Sequence, residues 1–248
     1  MTDSIVPARV TLIPYDSLHR SFTGGRKNMN DNVSDRKAII TGGTGHLGRE
    51  VVGAFLHEGY HVHVPWHSRN GWDELTESLD AAATPRLHGM QTDLTDERKV
   101  RNFTSDVANQ PGQLTTLLNL VGGFAFGSKV WETELGTWQK MLALNLTSVF
   151  LCCKHTIPHI QKASSGTIVN VSSKAALDVQ PGSAAYAVAK GGVVTLTRAL
   201  REELKGTSIS INTIMPGIID TPVTRDLMPD GDPSKWVRSD DIANALVA

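Results

Sequence analysis

The chain has 248 residues, 40% of them hydrophobic and 20% charged, which suffices for one large α/β domain with a substantial core. Its net charge of −1 gives no indication of nucleic acid or an anionic membrane as a partner, and no run of about 18 apolar residues predicts a transmembrane helix. The two cysteines, Cys152 and Cys153, are adjacent in an apolar run. We predict that they are free and buried, in a reducing, cytoplasmic compartment.

Residues 1–35 differ in composition from the remainder of the chain. They hold scattered polar residues and only short apolar runs, without the apolar region of a secretory signal. Met29 stands shortly before the regular pattern begins. We therefore expect residues 1–35 to be a disordered tail and residues 36–248 to form one domain. The alternative for the first 28 residues is that they come from an over-extended reading frame.

Short apolar strands alternate with helical segments from residue 36 onward. Predicted strands lie at 37–40, 60–64, 87–92, 116–121, 167–171 and 208–215, and predicted helices at 47–57, 72–82, 134–162, 183–204 and from 239. Thr95 is a candidate cap for a further helix, and Pro158 a candidate bend in the longest one. This alternation predicts an α/β fold, a single Rossmann-type, doubly wound parallel sheet with helices on both faces.

A glycine-rich segment, TGGTGHLG, lies between the first strand and the first helix. In that position glycines permit a tight turn and let backbone N–H groups approach a pyrophosphate, whose charge the helix N-terminus favours. A dinucleotide is therefore predicted to bind at this turn. The candidate cofactor-binding residues of the turn are Gly42, Thr44, Gly45, His46, Leu47 and Gly48.

The end of the second strand bears on the choice between NAD and NADP. An NAD site usually has an acidic residue there, whereas this chain reads HVHVPWHSRN, with Trp66 near the expected position. Arg69, with His67 and Ser68, is predicted to bind a 2′-phosphate, which favours NADP(H) over NAD(H); the alternative is a solvated charge at a helix entry. The nearby histidines lack Cys or carboxylate companions, so we interpret them as surface-leaning and predict no metal site.

Tyr186 and Lys190 are four residues apart in a predicted helix, which places both side chains on one face. A nearby ammonium favours the phenolate and so is expected to lower the pKa of the phenol. Ser173, at the end of the preceding strand, brings a hydroxyl towards the same point. Taken alone, such a pair is also common on purely structural helices.

Together these residues resemble the short-chain dehydrogenase/reductase family over about residues 36–241. Ser173, thirteen residues before Tyr186, and Tyr186-x-x-x-Lys190 have the spacing of the family's catalytic residues, and Asn145 looks like the fourth. The resemblance implies that Asp93 contacts the adenine amino group. It also implies that the stretch after the sixth strand holds the nicotinamide carboxamide. The cofactor-binding residues implied in this way are Asp93, Leu94, Asn119, Val121, Gly122, Tyr186, Lys190, Pro216, Gly217, Ile219 and Thr221.

Two features depart from the single-domain branch of that family. The spacing of Gly42, Gly45 and Gly48 is that of the extended branch, and His46 stands where the single-domain branch has glycine. The chain also ends at Ala248 inside a predicted helix. The family's last strand is therefore expected to be missing and the domain to be truncated at its C-terminus.

The resemblance implies an NADP(H)-dependent oxidoreductase that transfers hydride between nicotinamide and a carbonyl or secondary alcohol. Tyr186 would be the general acid/base, tuned by Lys190, with Ser173 polarising the substrate oxygen and Asn145 in a proton relay. The alternative is a catalytically silent NADP-binding sensor of the same fold.

The partners expected are a small-molecule substrate and a second copy of the chain. An apolar substrate pocket is expected, with Phe124, Phe126 and Val179 as candidate lining residues. An equal alternative for the two phenylalanine rings is that they only pack within their loop. The resemblance implies a homo-oligomer, a dimer before a tetramer, and the helices around Asn145 and after Tyr186 are apolar enough to pair across a two-fold axis; the alternative is that these apolar faces pack only on the sheet.

Overall fold

A computed structural model describes residues 35–247 of the chain. The tail prediction, apart from Asp35, lies outside these residues. The principal strands and helices are β1 (Arg36–Thr41), α1 (His46–His57), β2 (His61–Trp66), α2 (Arg69–Glu77), β3 (Leu87–Gln91), α3 (Glu97–Asn109), β4 (Gln113–Asn119), α4 (Leu135–Leu142), α5 (Ser148–Ile160), β5 (Gly166–Val171), α6 (Ala184–Glu203), β6 (Ile209–Ile214), β7 (Ile219–Asp220), α7 (Pro222–Leu227), β8 (Val237–Arg238) and α8 (Ser239–Val247).

The six longer strands form one parallel sheet in the order β3-β2-β1-β4-β5-β6, and β7 pairs separately with β8. Alternate residues of β1 enter two different cores: Ala38 and Ile40 pack with α1 and α8, whereas Ile39 packs with α3, α5 and α6. A strand buried on both faces needs apolar residues at every position, which is why this segment reads as a continuous apolar run. The predicted doubly wound parallel sheet is confirmed.

The strand order reverses between β1 and β4, and in open α/β sheets the ligand crevice lies at the carboxyl ends of the strands at such a point. The chain closes tightly there, because Thr41 Oγ1 accepts hydrogen bonds from Leu120 N at 3.1 Å and Val121 N at 3.3 Å. Gly42 has a φ of +70°, and a Cβ on it would lie 2.8 Å from Val121 N. The first glycine of the turn is therefore required both by its backbone conformation and by the approach of β4.

Two helix starts differ from the sequence prediction because of their capping side chains. Helix α2 begins at Arg69 rather than Trp72, since Ser68 Oγ accepts a hydrogen bond from Gly71 N. Helix α3 is capped by Asp96 and not by Thr95, whose N–H and Oγ1 both donate to Asp93 Oδ1. The predicted cap at Thr95 was therefore wrong.

The long predicted helix over 134–162 is two helices separated by a π-helical turn at Ala143–Thr147. Pro158 lies inside α5, which continues to Ile160. The interruption therefore falls around Asn145 and not at the proline. Such π-turns occur often at functional sites, because they redirect backbone groups away from the regular helical ladder.

The interpretation of the histidines on β2 as surface-leaning was wrong for His63. Its side chain is 2% exposed and stacks on His88, with ring centroids 4.7 Å apart. Burial lowers the pKa of His63 to about 3, with smaller contributions from His88, Lys37 and His61. The strand is paired on both sides, with β1 and β3, so His63 is enclosed within the sheet.

Both cysteines are free and buried, as predicted. Burial raises the thiol pKa of each of them. In the region 35–247, no helix has the length and apolar character needed to span a membrane.

Candidate active site

Three predicted catalytic residues meet where β5 ends and α6 begins. Ser172 Oγ donates to Lys190 O at 2.7 Å and so ties the helix to the strand end. Ser173 Oγ accepts from Ala175 N at 3.2 Å, and Lys174 N donates to Pro216 O at 2.9 Å. These bonds fix the backbone around Ser173 before any ligand binds. The anchoring role of Ser172 was missed in the sequence, where it is only the neighbour of the better candidate.

The Ser173 side chain lies beside the Tyr186 phenol. Burial raises the pKa of the Tyr186 phenol above its ordinary value, and the interaction with the Ser173 side chain opposes this rise. The Lys190 ammonium lies 6.0 Å from the centroid of the Tyr186 ring. The expected net lowering of the Tyr186 pKa by Lys190 is therefore wrong for this structure, because desolvation of the phenolate outweighs the favourable interactions.

Lys190 is 4% exposed, and its Nζ donates to Val171 O at 2.9 Å. Burial lowers the pKa of this ammonium to about 8. An ammonium has three N–H donors, and only this one hydrogen bond is made within residues 35–247. Lys190 therefore remains charged near neutral pH and keeps donor capacity beside Tyr186.

Asn145 lies in the π-turn and fastens the loop after β4. Its Nδ2 donates to Gly123 O and to Met141 O, both at 3.0 Å, and its Oδ1 accepts from Gly123 N at 3.1 Å. A Cβ on Gly122 would lie 2.8 Å from Asn145 Oδ1 and 3.1 Å from Lys190 Nζ. Glycine at 122 thus lets the loop pass between these two side chains, and Gly123 completes a clamp that was not apparent in the sequence.

Asn119 is fully buried beneath the site. Its Nδ2 donates to Asn170 Oδ1 at 2.8 Å, and Asn170 Nδ2 donates in turn to Thr197 Oγ1 at 2.9 Å. This chain of side chains joins β4, β5 and α6. The structure therefore directs the Asn119 side chain into the interior rather than into the crevice, while Val121 and Gly122 follow at the crevice wall.

The glycine-rich turn leaves the N-terminus of α1 without a side-chain cap. A Cβ on Gly48 would lie 2.0 Å from Gly42 O and 2.7 Å from Gly43 Cα, so only glycine permits this packing. Gly45 has an extended φ of −80°, and the exposed His46 opens the helix. With His46 in place of the usual glycine, the uncapped N–H groups of the first turn still fit an anionic pyrophosphate.

The candidate 2′-phosphate site lies where β2 leads into α2. Ser68 is the cap of α2, His67 and Arg69 are exposed, and Arg69 Nε lies 3.0 Å from Asp73 Oδ1. Arg49, the residue after the last glycine of the turn, donates to Thr44 O at 3.1 Å and pairs with Glu74. Arg49 was missed in the sequence, although its place directly after the turn was an available signal.

The remaining predicted cofactor residues follow β3 and β6. Asp93 Oδ1 accepts from Thr95, chiefly through the threonine side chain, which lowers the pKa of the Asp93 carboxyl. Leu94 is buried in the core. Thr221 caps α7 by accepting from Thr224 N at 3.1 Å. Pro216 and Gly217 lie in the loop after β6, and Ile219 begins β7, which leads to this cap.

The family model described as short chain dehydrogenase matches residues 36–232. The chain belongs to this family. It is therefore an oxidoreductase that acts on CH–OH groups with NAD(P). The glycine-rich turn and the Ser173–Tyr186–Lys190 arrangement lie within the matched residues.

Named relatives extend over most of the chain. The cis-4-hydroxycyclohexanecarboxylate dehydrogenase of Sinomonas cyclohexanicum is 31% identical over 202 residues, which are 82% of this chain and 80% of the relative. The meso-2,3-butanediol dehydrogenase of Serratia marcescens is 31% identical over 191 residues, 77% of this chain and 74% of the relative. The solved structure of ElxO with NADP bound superposes with a TM-score of 0.79 at 27% identity, covering 86% of this chain and 90% of ElxO.

Proposed function

We propose that this protein transfers hydride between NADP(H) and the carbonyl or secondary alcohol carbon of a small molecule. The observation that carries the proposal is the Tyr186 ring, whose centroid lies 6.0 Å from the ammonium of the buried Lys190, with the Ser173 side chain beside the same phenol. These groups lie at the carboxyl end of the parallel sheet, where open α/β sheets bind their ligands. The relatives named as dehydrogenases and the NADP-bound ElxO support the same activity.

When bound, the nicotinamide supplies or accepts the hydride. In reduction, Tyr186 donates its phenolic proton to the substrate oxygen, and its raised pKa keeps the phenol protonated at neutral pH. Ser173 donates a hydrogen bond to the same oxygen as negative charge develops on it. In oxidation the phenolate is the base, so oxidation requires a higher pH or a stronger positive charge nearby than this structure provides alone.

Lys190 and Asn145 support this proton transfer in different ways. The Lys190 ammonium stabilises the phenolate electrostatically and keeps N–H donors for the nicotinamide ribose. The side chain of Asn145 is occupied by Gly123 and Met141. We therefore assign its part in the proton relay to the backbone of the π-turn, with the side chain holding the loop in place.

The cofactor residues fit NADP(H) in this proposal. The uncapped first turn of α1 holds the pyrophosphate, Asp93 contacts the adenine amino group, and the loop from Pro216 to Thr221 holds the carboxamide. Arg69 exchanges its surface ion pair with Asp73 for the 2′-phosphate, which carries more charge than one carboxylate.

The test is the Tyr186→Phe variant, with Tyr60→Phe as the matched control. Tyr60 packs against Arg36 at the opposite end of the sheet. Tyr186→Phe should lower carbonyl reduction by about a thousandfold, within the range for a lost general acid, while NADPH binding measured by fluorescence is unchanged. Turnover equal to wild type would contradict the assignment. NADPH binding without turnover of any carbonyl by the wild type would instead support the sensor function.

We propose further that the enzyme is a dimer in a reducing, cytoplasmic compartment. Phe150 on α5 and Val188 on α6 expose apolar surface on the helices that the sequence indicated for pairing. The two free, buried cysteines are compatible with a reducing compartment. Sedimentation of the wild type and of Val188→Asp tests the dimer: the variant should be monomeric, and equal sedimentation of the two would contradict this interface.

A further inference from the structure

Two phenylalanine rings stand open to solvent beside the proposed proton donor. Phe124 is 56% exposed and Phe126 is 62% exposed. The rings are stacked, with centroids 6.0 Å apart and planes 11° apart, and the Phe124 ring meets the Tyr186 ring edge-on with centroids 5.0 Å apart. Large apolar side chains are rarely left so exposed side by side unless the surface binds something.

The loop that carries these rings is fixed to a second apolar loop. Gly127 N donates to Gly182 O at 3.1 Å, and a Cβ on Gly182 would lie 3.0 Å from Gly127 N. The second loop presents Leu177 and Val179, both exposed. Because both glycines have positive φ, this close contact is specific to glycine at each position. The two apolar loops therefore form a preorganised wall around Tyr186.

The charges around this wall already have partners. Lys129 lies over the Trp131 ring, with Nζ 5.4 Å from the ring centroid. Lys174 pairs with Asp178 at 3.6 Å. Each cation of the two loops, within residues 124–132 and 173–182, therefore has a partner. Because the remaining donors of Lys190 are assigned to the nicotinamide ribose, an anionic substrate would lose hydration at this wall without gaining an unengaged cation.

We propose, on the basis of the oxidoreductase function above, that the site takes uncharged carbonyl compounds or alcohols that carry a ring. The ring packs against the exposed faces of Phe124 and Phe126 while its oxygen reaches Tyr186 and Ser173. Flat aromatic surfaces contact a ring over a larger area than they contact a flexible chain, and the ring loses less conformational freedom on binding. Phe124 is the specificity-determining residue of this assignment.

The decisive comparison uses 4-methylcyclohexanone and 4-oxocyclohexanecarboxylate, which share a ring and a ketone and differ by a methyl group or a carboxylate. The kcat/KM for the neutral ketone should be at least about tenfold higher, since tenfold corresponds to about 1.4 kcal/mol of lost anion hydration. A kcat/KM for the keto acid that equals or exceeds that for the neutral ketone would overturn the proposal.

Ring recognition is tested with Phe124→Leu, which keeps the apolar character and removes the ring. The kcat/KM should fall about tenfold for 4-methylcyclohexanone and much less for 2-butanone. Phe124→Tyr is the matched control, because it keeps a ring at this position, which is 56% exposed and so leaves the added hydroxyl in water. Equal losses with the two ketones would overturn the role of Phe124.

A gain of function tests the role of charge. Val179→Lys adds a cation to the apolar wall and should raise kcat/KM for 4-oxocyclohexanecarboxylate relative to the neutral ketone. Val179→Leu, which adds no charge, should leave the ratio unchanged. A ratio that is the same in all three proteins would count against the charge argument.

A binding measurement separates this proposal from the oxidoreductase function. Saturation-transfer NMR on the wild type with NADP⁺, which cannot reduce a ketone, should show binding of 4-methylcyclohexanone in excess over the keto acid. Tighter binding of the keto acid would overturn the substrate class, whatever the turnover. Absence of turnover with NADPH, combined with preferential binding of the neutral ketone, would instead overturn the oxidoreductase function and leave the ligand class standing.

Discussion

Two buried lysines mark opposite ends of the sheet, and their hydrogen bonds differ. Lys37, at the start of β1, is 1% exposed, and its Nζ donates to Val107 O at 2.7 Å, Ala108 O at 3.3 Å and Gln110 O at 2.6 Å. Lys190 donates only to Val171 O within the range 35–247. Burial lowers the pKa of both ammonium groups.

The difference separates a structural charge from a chemically available one. Lys37 has all three donors engaged by the carbonyls that end α3, where a cation also interacts favourably with the helix dipole. Lys190 stands at the carboxyl end of the strands, beside Tyr186, with donor capacity remaining. Burial alone therefore does not identify a catalytic lysine; its unused donors and its place on the sheet do.

Replacing each lysine by methionine gives the largest expected contrast. Lys190→Met should lower kcat about a hundredfold, because it removes the positive charge beside the proton donor, and should cost less stability than Lys37→Met, because it removes one hydrogen bond to a carbonyl instead of three. Lys37→Met should leave kcat within about twofold and cost about 1–3 kcal/mol of stability, because it leaves the α3 carbonyls unpaired. Carbonyl-reduction kinetics and urea unfolding measure the two effects.

The contrast between the two lysines is refuted if Lys37→Met lowers kcat as much as Lys190→Met does, or more. A large loss of kcat in the folded Lys37→Met protein would mean that the lysine at the amino end of the sheet also supports the chemistry. An unchanged kcat in Lys190→Met would mean that unused N–H donors on a buried lysine do not mark it as catalytic.

The pH dependence of reduction should report the Lys190 charge. The ammonium is protonated below about pH 8 and loses its proton above it. The kcat/KM for carbonyl reduction should accordingly be flat below about pH 8 and decline above that value, by up to about tenfold per pH unit. In Lys190→Arg the charge persists, so the normalised profile should stay flat through this range. The same decline in both proteins would assign the titration to another group.

Cofactor preference should change by about tenfold at Arg69. Arg69→Ala removes the proposed 2′-phosphate contact, so the ratio of NADPH to NADH affinity should fall about tenfold. Asp73→Asn frees Arg69 and removes a negative charge, so the same ratio should rise. Fluorescence titration measures the affinity of each variant for NADPH and for NADH. An equal fold loss of the two affinities in Arg69→Ala would refute the 2′-phosphate site.

A further expected effect concerns acid stability. His63 is neutral in the folded protein, with a pKa of about 3, whereas the unfolded chain takes up its proton near pH 6.5. The free energy of unfolding should therefore decrease as pH falls through this window, by up to about 1.4 kcal/mol per pH unit from this residue. His63→Leu should reduce the slope of the free energy of unfolding against pH, whereas the exposed control His57→Leu should not. Denaturant titrations at pH 4, 5 and 6 measure these slopes. Equal slopes in wild type and His63→Leu would contradict the prediction.

The site was predictable where short sequence spacings determine geometry. A strand, a glycine turn and a helix in succession indicated the candidate phosphate-binding turn, and four-residue spacing placed Tyr186 and Lys190 on one face of a helix. The cap at Asp96 was not predicted although aspartate is a better N-cap residue than threonine, because both types cap helices and the two residues are adjacent in sequence. Thr95 does not cap the helix, because its hydroxyl donates a hydrogen bond to Asp93 instead.

The sequence by itself determined the parallel sheet, the turn and the catalytic spacing, because each is encoded within one strand–helix unit. The tertiary structure alone decided the burial of His63, the three carbonyls around Lys37 and the clamp between Asn145 and Gly123. It also decided the direction of the Tyr186 pKa. In each case the deciding groups come from segments distant in sequence, and burial depends on how those segments pack.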